Sequence, residues 1–522
     1  MRARLRRVPL LALTPVLAVL TLTAWVFASP VGAGPDDDFH LVSAWCAGPT
    51  ADETCAPAAE PGAVEAPAAL ASIACYAYQP EKSAACQGES WSWSVEELVQ
   101  TARSNVAGSY PPVFYAVMGS LTGEDIQLSA LLMRILTVVL FVGITAALYG
   151  LLPSHRRATL LWSWILTSVP LGLFLFGTNN PSSWAWIGVG SSWLALLGYF
   201  ETTGRRKALL GAVFALTAVM SAGARADAAL FTGLGIAVVL LLTATRRRRY
   251  LAEAILPVAV GIMALALFLG SYFSRDGVSG FTGASYDDPL RGGDANAGLE
   301  RFLEGSDLAA YNALHVPTLW TGVLGDWALG WLDTSMPAVV SAAAVGAIVA
   351  VGFAGLTRMT VRKALAIAAV IAILVALPLV ILQSGTDTVG NQVQARYILP
   401  LVTLLIGLVL LAPRGRPIVL SLAQRVTVVL ALSAAQFVAL HINIRRYVTG
   451  IDESGPSLDA GVEWWWAGPV GPNAVWLLGS LAYTLLLAIL VGRIARPAAV
   501  TDDHAAAPRR ASPHPQPPEV SP

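Results

Sequence analysis

Lysine is nearly missing from this chain: three residues stand against thirty arginines in a sequence of 522. Charge of either sign is scarce, at 13% of residues, where soluble domains carry about 25%. That deficit excludes an ordinary soluble domain. The formal net charge is zero, so no basic surface is available for nucleic acid. There is no P-loop, no dinucleotide fingerprint and no HExxH. No intracellular segment is long enough for a nucleotide-sugar domain, so energy for an external reaction must arrive in a lipid-linked substrate. No internal repeat supports an inverted-repeat transporter. The bias toward arginine and alanine is that of a GC-rich, actinobacterial-type genome.

What is abundant is apolar sequence. Hydrophobic residues make up 55% of the chain, and mean hydropathy is +0.62. Uncharged runs near 20 residues recur, which is the mark of a polytopic all-α membrane protein; outer-membrane barrels alternate polarity instead. The first run, Val8–Ala28, follows Arg2, Arg4, Arg6 and Arg7 and reads as an uncleaved anchor rather than a signal peptide. Further spans are predicted near 128–152, 158–177, 182–203, 208–223, 228–245, 251–273, 336–357, 364–383, 396–412, 418–441 and 473–494, twelve in all. The fifth and sixth are short, and a shallow helical hairpin is the other reading of that pair.

The basic clusters orient the bundle. They are the N-terminal arginines, Arg156-Arg157, Arg205-Arg206-Lys207, Arg246 to Arg249, Arg358 with Arg362-Lys363, Arg414 with Arg416, and Arg493 with Arg496. Twelve spans place all of them on one side, which the positive-inside rule makes cytoplasmic. Both termini then lie inside a bacterial plasma membrane. The domain plan is an anchor (1–28), an external loop (29–127), a multi-span domain (128–494) with external loops 274–335, 384–395 and 442–472, and a disordered tail (495–522).

The external loop 29–127 holds thirteen acidic residues and only two bases, Lys82 and Arg103. It also holds all four cysteines, Cys46, Cys55, Cys75 and Cys86. Their spacing lacks the paired C-x-x-C of a zinc site. They read as two disulfides, with three connectivities open.

Three consecutive acids, Asp36, Asp37 and Asp38, open this loop just beyond the first span. A helix beginning there would put Asp36 and His40 on one face, with Asp37 three residues from His40. Such a group can orient a general base or hold a divalent ion, magnesium or manganese; a solvated acidic cap is the plainer alternative. Ser109 to Tyr115, with Tyr110 before two prolines, leads into a short apolar helix at the interface. Arg134 lies within the second predicted span. Arg225 and Asp227 sit at the tip between the fifth and sixth. Gln392, Gln394, Arg396 and Tyr397 open the tenth. Guanidinium groups on the outer side suit a lipid phosphate, which they grip with paired hydrogen bonds; each alone is equally an ion pair or a snorkelling side chain. Asn179-Asn180-Pro181 reads as a helix start, and Trp464-Trp465-Trp466 as an interfacial cluster.

The order P-D-D-D-F-H after one span, Y-P-P-V-F-Y at the loop's end, A-R-A-D at an internal tip and Q-A-R-Y-I-L-P opening a late span resembles a large family of bacterial predicted integral membrane proteins of unknown function. The resemblance covers most of residues 8–440. That family looks in turn like the GT-C glycosyltransferases, which take sugars from polyprenyl-phosphate carriers on the outer face. The resemblance implies a GT-C-like bundle of about twelve helices and a catalytic base at Asp36 or Asp37; the usual family Glu is replaced here by Asp37. It further implies a substrate site drawn from His40, Tyr110, Arg134, Arg225, Asp227, Gln394, Arg396 and Tyr397. The implied partners are a polyprenyl-phosphate-linked sugar, a cell-envelope glycan acceptor and membrane lipid. A lipid-linked glycan transporter or flippase, or a non-catalytic envelope assembly subunit, is the alternative expectation.

Overall fold

A computed structural model of the protein describes residues 10–60, 62–89, 95–273, 303–357, 359–390, 393–412 and 418–495. The N-terminal arginines, Arg358, Gln392, Arg414, Arg416, Arg496, loop residues 274–302 and tail residues 496–522 lie outside the described residues.

Long apolar helices dominate. The first is α1 (Thr14–Phe27). The acidic loop contributes α2 (Asp37–Trp45) and α3 (Val113–Gly119). Then come α4 (Ile126–Leu151), α5 (Ser154–Thr167), α6 (Ser182–Glu201), α7 (Gly204–Ala222), α8 (Ala226–Thr243) and α9 (Arg248–Phe273). The C-terminal part supplies α10 (Gly305–Thr321), α11 (Ala338–Gly355), α12 (Val361–Gly385), α13 (Ala395–Val409), α14 (Leu422–Val448) and α15 (Pro472–Ile494). Local chemistry sets several ends. Asp125 accepts from Leu128 N at 2.9 Å to start α4, and Ser421 and Gln424 form a reciprocal capping box at α14.

Among the described residues, eight helices are long and apolar enough to cross a membrane, and α13 is a shorter apolar helix. The remaining predicted spans fall on α5, α6 and α7. Of these, α6 is buried from Ser182 to Gly198, so it is a central helix enclosed by protein rather than one facing lipid. The predicted span 158–177 is interrupted: Val169 leaves helical geometry (ψ 132°) ahead of Pro170, a residue that cannot donate to a continuing helix. The short fifth and sixth predicted spans fall on α7 and α8. α8 has 18 residues, about 27 Å at a helical rise, and is one of the eight helices long and apolar enough to cross. The region expected as external loop 274–335 contains α10.

The acidic loop is not purely helical. Val64–Pro67 (β1) pairs antiparallel with Leu98–Thr101 (β2); Val64, Val99 and Thr101 are β-branched and suit a half-buried pleat. The cysteines resolve into Cys46–Cys55 and Cys75–Cys86.

One short segment organises the outer end. Residues 28–35 leave α1 without regular structure, yet all are buried. Buried backbone must find partners, and here each carbonyl does. Trp466 donates to Phe27 O (2.8 Å) and Asn443 to Ala28 O (2.9 Å). Arg134 donates to Ser29 O and Pro30 O, both at 2.7 Å. Tyr76 and Gln87 reach Val31 O, Trp331 reaches Gly32 O, and Tyr447 reaches Ala33 O. Asp37 N takes Gly34 O, while Asn180 and Arg396 share Pro35 O at 2.8 and 2.9 Å. Gly34 is obligatory at its place: a Cβ there would stand 2.6 Å from Asp37 Oδ1 and 2.8 Å from Thr178 Cβ.

Candidate functional site

The strapped segment delivers the acids to a fixed place. Asp36 caps α2 in the left-handed region (φ 65°), a conformation that costs a non-glycine residue about 1–2 kcal/mol. Its carboxylate is claimed by two arginines. Arg396 Nη2 stands 2.5 Å from Oδ2, and Arg103 Nη2 3.2 Å from Oδ1. Burial alone would raise the Asp36 carboxyl, but Arg396 and Arg103 outweigh it and hold the group well below the usual carboxylate range. Even so, 32% of the Asp36 side chain remains exposed. A solute can reach it.

Asp37 is its opposite. It is fully buried. Its carboxylate accepts from Gly34 N at 3.0 Å and from Asn179 N at 3.2 and 3.3 Å. Burial pushes its carboxyl up to about 7 against the opposing pull of Arg134. Asp38 pairs with Arg103, whose Nε and Nη2 engage both its oxygens in a fork. Arg103 therefore joins Asp36 to Asp38.

His40 stands one turn after Asp36, its backbone N donating to Asp36 O at 2.9 Å. Its Nδ1 meets the Tyr115 hydroxyl at 2.8 Å, and its ring is edge-on to Tyr110 at 5.2 Å. Burial lowers its pKa well below the usual histidine value, so the ring is neutral. Its Nε2 is buried with no hydrogen-bond partner among the described residues. Arg396 Nε is in the same condition. Two buried polar atoms, on Arg396 and on His40 four residues beyond Asp36, are thus unspent, which is unusual for a native interior.

A second layer backs this one. Tyr397 OH accepts from Arg396 Nη2 at 3.2 Å. Arg225 lies over the Tyr397 ring at 4.5 Å and the Tyr110 ring at 5.8 Å. It is locked to Asp227 (2.9 and 2.8 Å) in a fully buried pair. Gln394 is half-buried and lines a cavity of about 30 Å³ with Asn180, Trp327 and Arg396.

The sequence-selected residues Asp36, Asp37, His40, Tyr110, Arg225, Asp227, Arg396 and Tyr397 therefore converge, with Gln394 at the edge. Arg134 is placed differently. It is 1% exposed and spends its donors on Asn179 Oδ1 (2.9 Å) and the carbonyls of Val26, Ser29 and Pro30. It holds the acid-bearing segment from beneath. Among the described residues, no group of three His, Cys, Asp or Glu side chains is arranged to hold a metal ion; Asp36 and Asp37 are claimed by different partners.

Four residues contribute in ways that the sequence did not assign to them. Arg103 is one of only two bases in the acidic loop, and that rarity was the available signal. Asn179 and Asn180 were read as a helix start, yet Asn179 bridges Asp37 and Arg134 while Asn180 fixes Pro35. Tyr115, within the noted aromatic motif, is the direct partner of His40.

No curated protein matches the chain, and no solved structure does. Residues 19–405 match the predicted membrane protein family DUF2142, a stretch that takes in every residue of the site, from Asp36 to Tyr397. The chain belongs to this family of multi-pass membrane proteins.

Proposed function

We propose that the protein is an inverting glycosyltransferase that takes a sugar from a polyprenyl-phosphate donor on the extracytoplasmic face of the plasma membrane. The acceptor is a cell-envelope glycan or lipid-linked glycan. The proposal includes a GT-C-like bundle of twelve spans with both termini cytoplasmic. Eight helices long and apolar enough to cross, with the shorter apolar α13 and with α5, α6 and α7 at the remaining expected positions, support that count. The clustering of Arg156, Arg206, Lys363 and Arg493 at helix ends away from the acidic loop supports the orientation.

The observation that carries the reading is Asp36: an accessible carboxylate beside a guanidinium that still has an unspent donor. Basicity favours Asp37, but access favours Asp36. Geometry decides first, because a base must touch the proton it removes. Asp36 paired to two arginines is a weak base. The donor phosphate is the natural competitor for Arg396. As it binds there, Asp36 is released to accept the acceptor hydroxyl's proton. The acceptor oxygen then bonds to the anomeric carbon from the opposite face. The bond from that carbon to the phosphate oxygen breaks, and its electrons leave with polyprenyl phosphate, stabilised by Arg396. His40, with its unspent Nε2, is assigned to the acceptor, and Arg225 holds the aromatic floor.

The test is transfer of label from polyprenyl-phosphate sugars to an envelope acceptor extract by protein in lipid. Transfer that needs Asp36 is the expected result. Absence of transfer from folded protein with every donor, together with movement of an intact lipid-linked glycan across the bilayer, would replace this reading with a flippase.

A further inference from the structure

A cavity of about 880 Å³ lies between α1, α4, α5 and α15, away from the acidic site. It runs along the first helix from Leu10 to Leu22. At a helical rise that is roughly 18 Å, close to half the ~30 Å hydrocarbon thickness. Ala18, Phe141, Leu161, Leu173 and Leu487 give it apolar walls. The groove therefore has the length and lining of one acyl chain in one leaflet.

Its mouth is basic. Tyr149 and Arg493 line it there. Arg493 is exposed and has no carboxylate partner among the described residues. Arg157 lies 5.1 Å over the Tyr149 ring, adding a second cation beside the opening. An unpaired guanidinium at the end of a leaflet-deep apolar groove is complementary to a phosphate carrying an acyl chain.

We infer that this groove is a binding site for an anionic phospholipid from the leaflet at the bundle's basic end, with one acyl chain between α1 and α15 and the phosphate at Arg493. The inference is independent of the proposed transferase activity. It makes α1, which carries the acidic segment at its other end, partly dependent on bound lipid for its packing.

Native mass spectrometry of the delipidated full chain tests it, with phosphatidylglycerol and phosphatidylcholine of identical chains as probes. Phosphatidylglycerol should be retained in preference at one site, by about five-fold, the size of a single cation's pull on an anionic lipid. Arg493→Gln, an exposed substitution that leaves the core untouched, should erase the preference. Ala18→Trp should fill the groove and remove that site for both lipids while the protein stays monodisperse. Tyr483→Phe is the control: its hydroxyl lines the groove, buried and unpartnered, far along α15 from Arg493, and its removal should change nothing. Equal retention of the two lipids, or unchanged stoichiometry in Ala18→Trp, would overturn the inference. So would loss of binding in Tyr483→Phe, which would place the recognised polar group at mid-depth.

Discussion

Arg396 and Asp36 are separated by 360 residues of chain and by 2.5 Å of space. The same guanidinium holds Pro35 O at 2.9 Å. Arg396 thus fixes both the acid and the peptide before it. The late Q-A-R-Y motif and the early P-D-D-D motif are two halves of one site.

Asp36→Asn should lower transfer by about 10²- to 10⁴-fold, the usual contribution of a general base. Asp37→Asn should keep most of the rate, because the amide oxygen can still accept from Gly34 N and Asn179 N. Initial rates with labelled donor check this, beside thermal melts showing that both variants fold. The reverse ranking would move the base to Asp37.

The pH dependence of stability should carry the mark of Asp37. Its folded pKa, about 7, is raised above the ordinary value of 3.8. The folded state therefore holds a proton that the unfolded state has released. The stability contributed is full below about pH 4 and is lost as pH rises through about 7. Asp36, whose pKa is lowered, contributes in the opposite sense, and its share is lost only in more acid solution. Melting midpoints taken from pH 4 to 8 should fall less steeply in Asp37→Asn than in the unsubstituted protein. Parallel curves would show that Asp37 is not the titrating group.

Arg134→Gln should be among the most damaging substitutions. It strands the carbonyls of Ser29 and Pro30 in a dry interior, and each unsatisfied group costs about 1–3 kcal/mol. Asn443→Ala strands one carbonyl, Ala28 O, and frees Ser29 Oγ, a hydroxyl that can rotate to another partner, so it should cost roughly half as much. The ratio of monodisperse to aggregated protein in detergent, with melting midpoints, orders the two. Wild-type stability in Arg134→Gln would mean that the arginine serves the ligand and not the loop.

Breaking Cys46–Cys55 with paired serines should lower stability by about 2–3 kcal/mol, from the entropy of the short loop it closes. Cys46 caps α2, so activity should fall along with stability. Thiol counting and rates before and after mild reduction are the readout.

Much of the scaffold was visible in the sequence because hydropathy is local. A run such as Ile126–Leu151 declares itself. So does the short α2, through acids at a helix start. The break at Val169 was not visible, since the surrounding residues remain apolar on both sides. The site was half legible. Rare polar residues in apolar sequence, Arg225 and Arg396, stand out by the cost of burying them. Asn179 does not, because an asparagine ahead of Pro181 satisfies a local rule for starting helices. Its use by Asp37 depends on a fold that brings together positions 142 residues apart. Arg134 shows the limit from the other side: its burial was foreseeable, but whether its donors faced a ligand or a backbone was not.

The carbonyls from Phe27 to Pro35 also set a timetable. That segment leaves the ribosome early, and Tyr76, Gln87, Arg134 and Asn180 follow soon after, but five of the groups that hold it are made much later: Trp331, Arg396, Asn443, Tyr447 and finally Trp466. Until those later groups are in place, the carbonyls of Phe27, Ala28, Gly32 and Ala33 lack the side-chain donors that meet them in the folded protein. A chain cut short by translational arrest or proteolysis before Trp466 would carry every acid of the site and still lack a complete clasp. The clasp around the acids is thus closed last by the segment that carries Trp466.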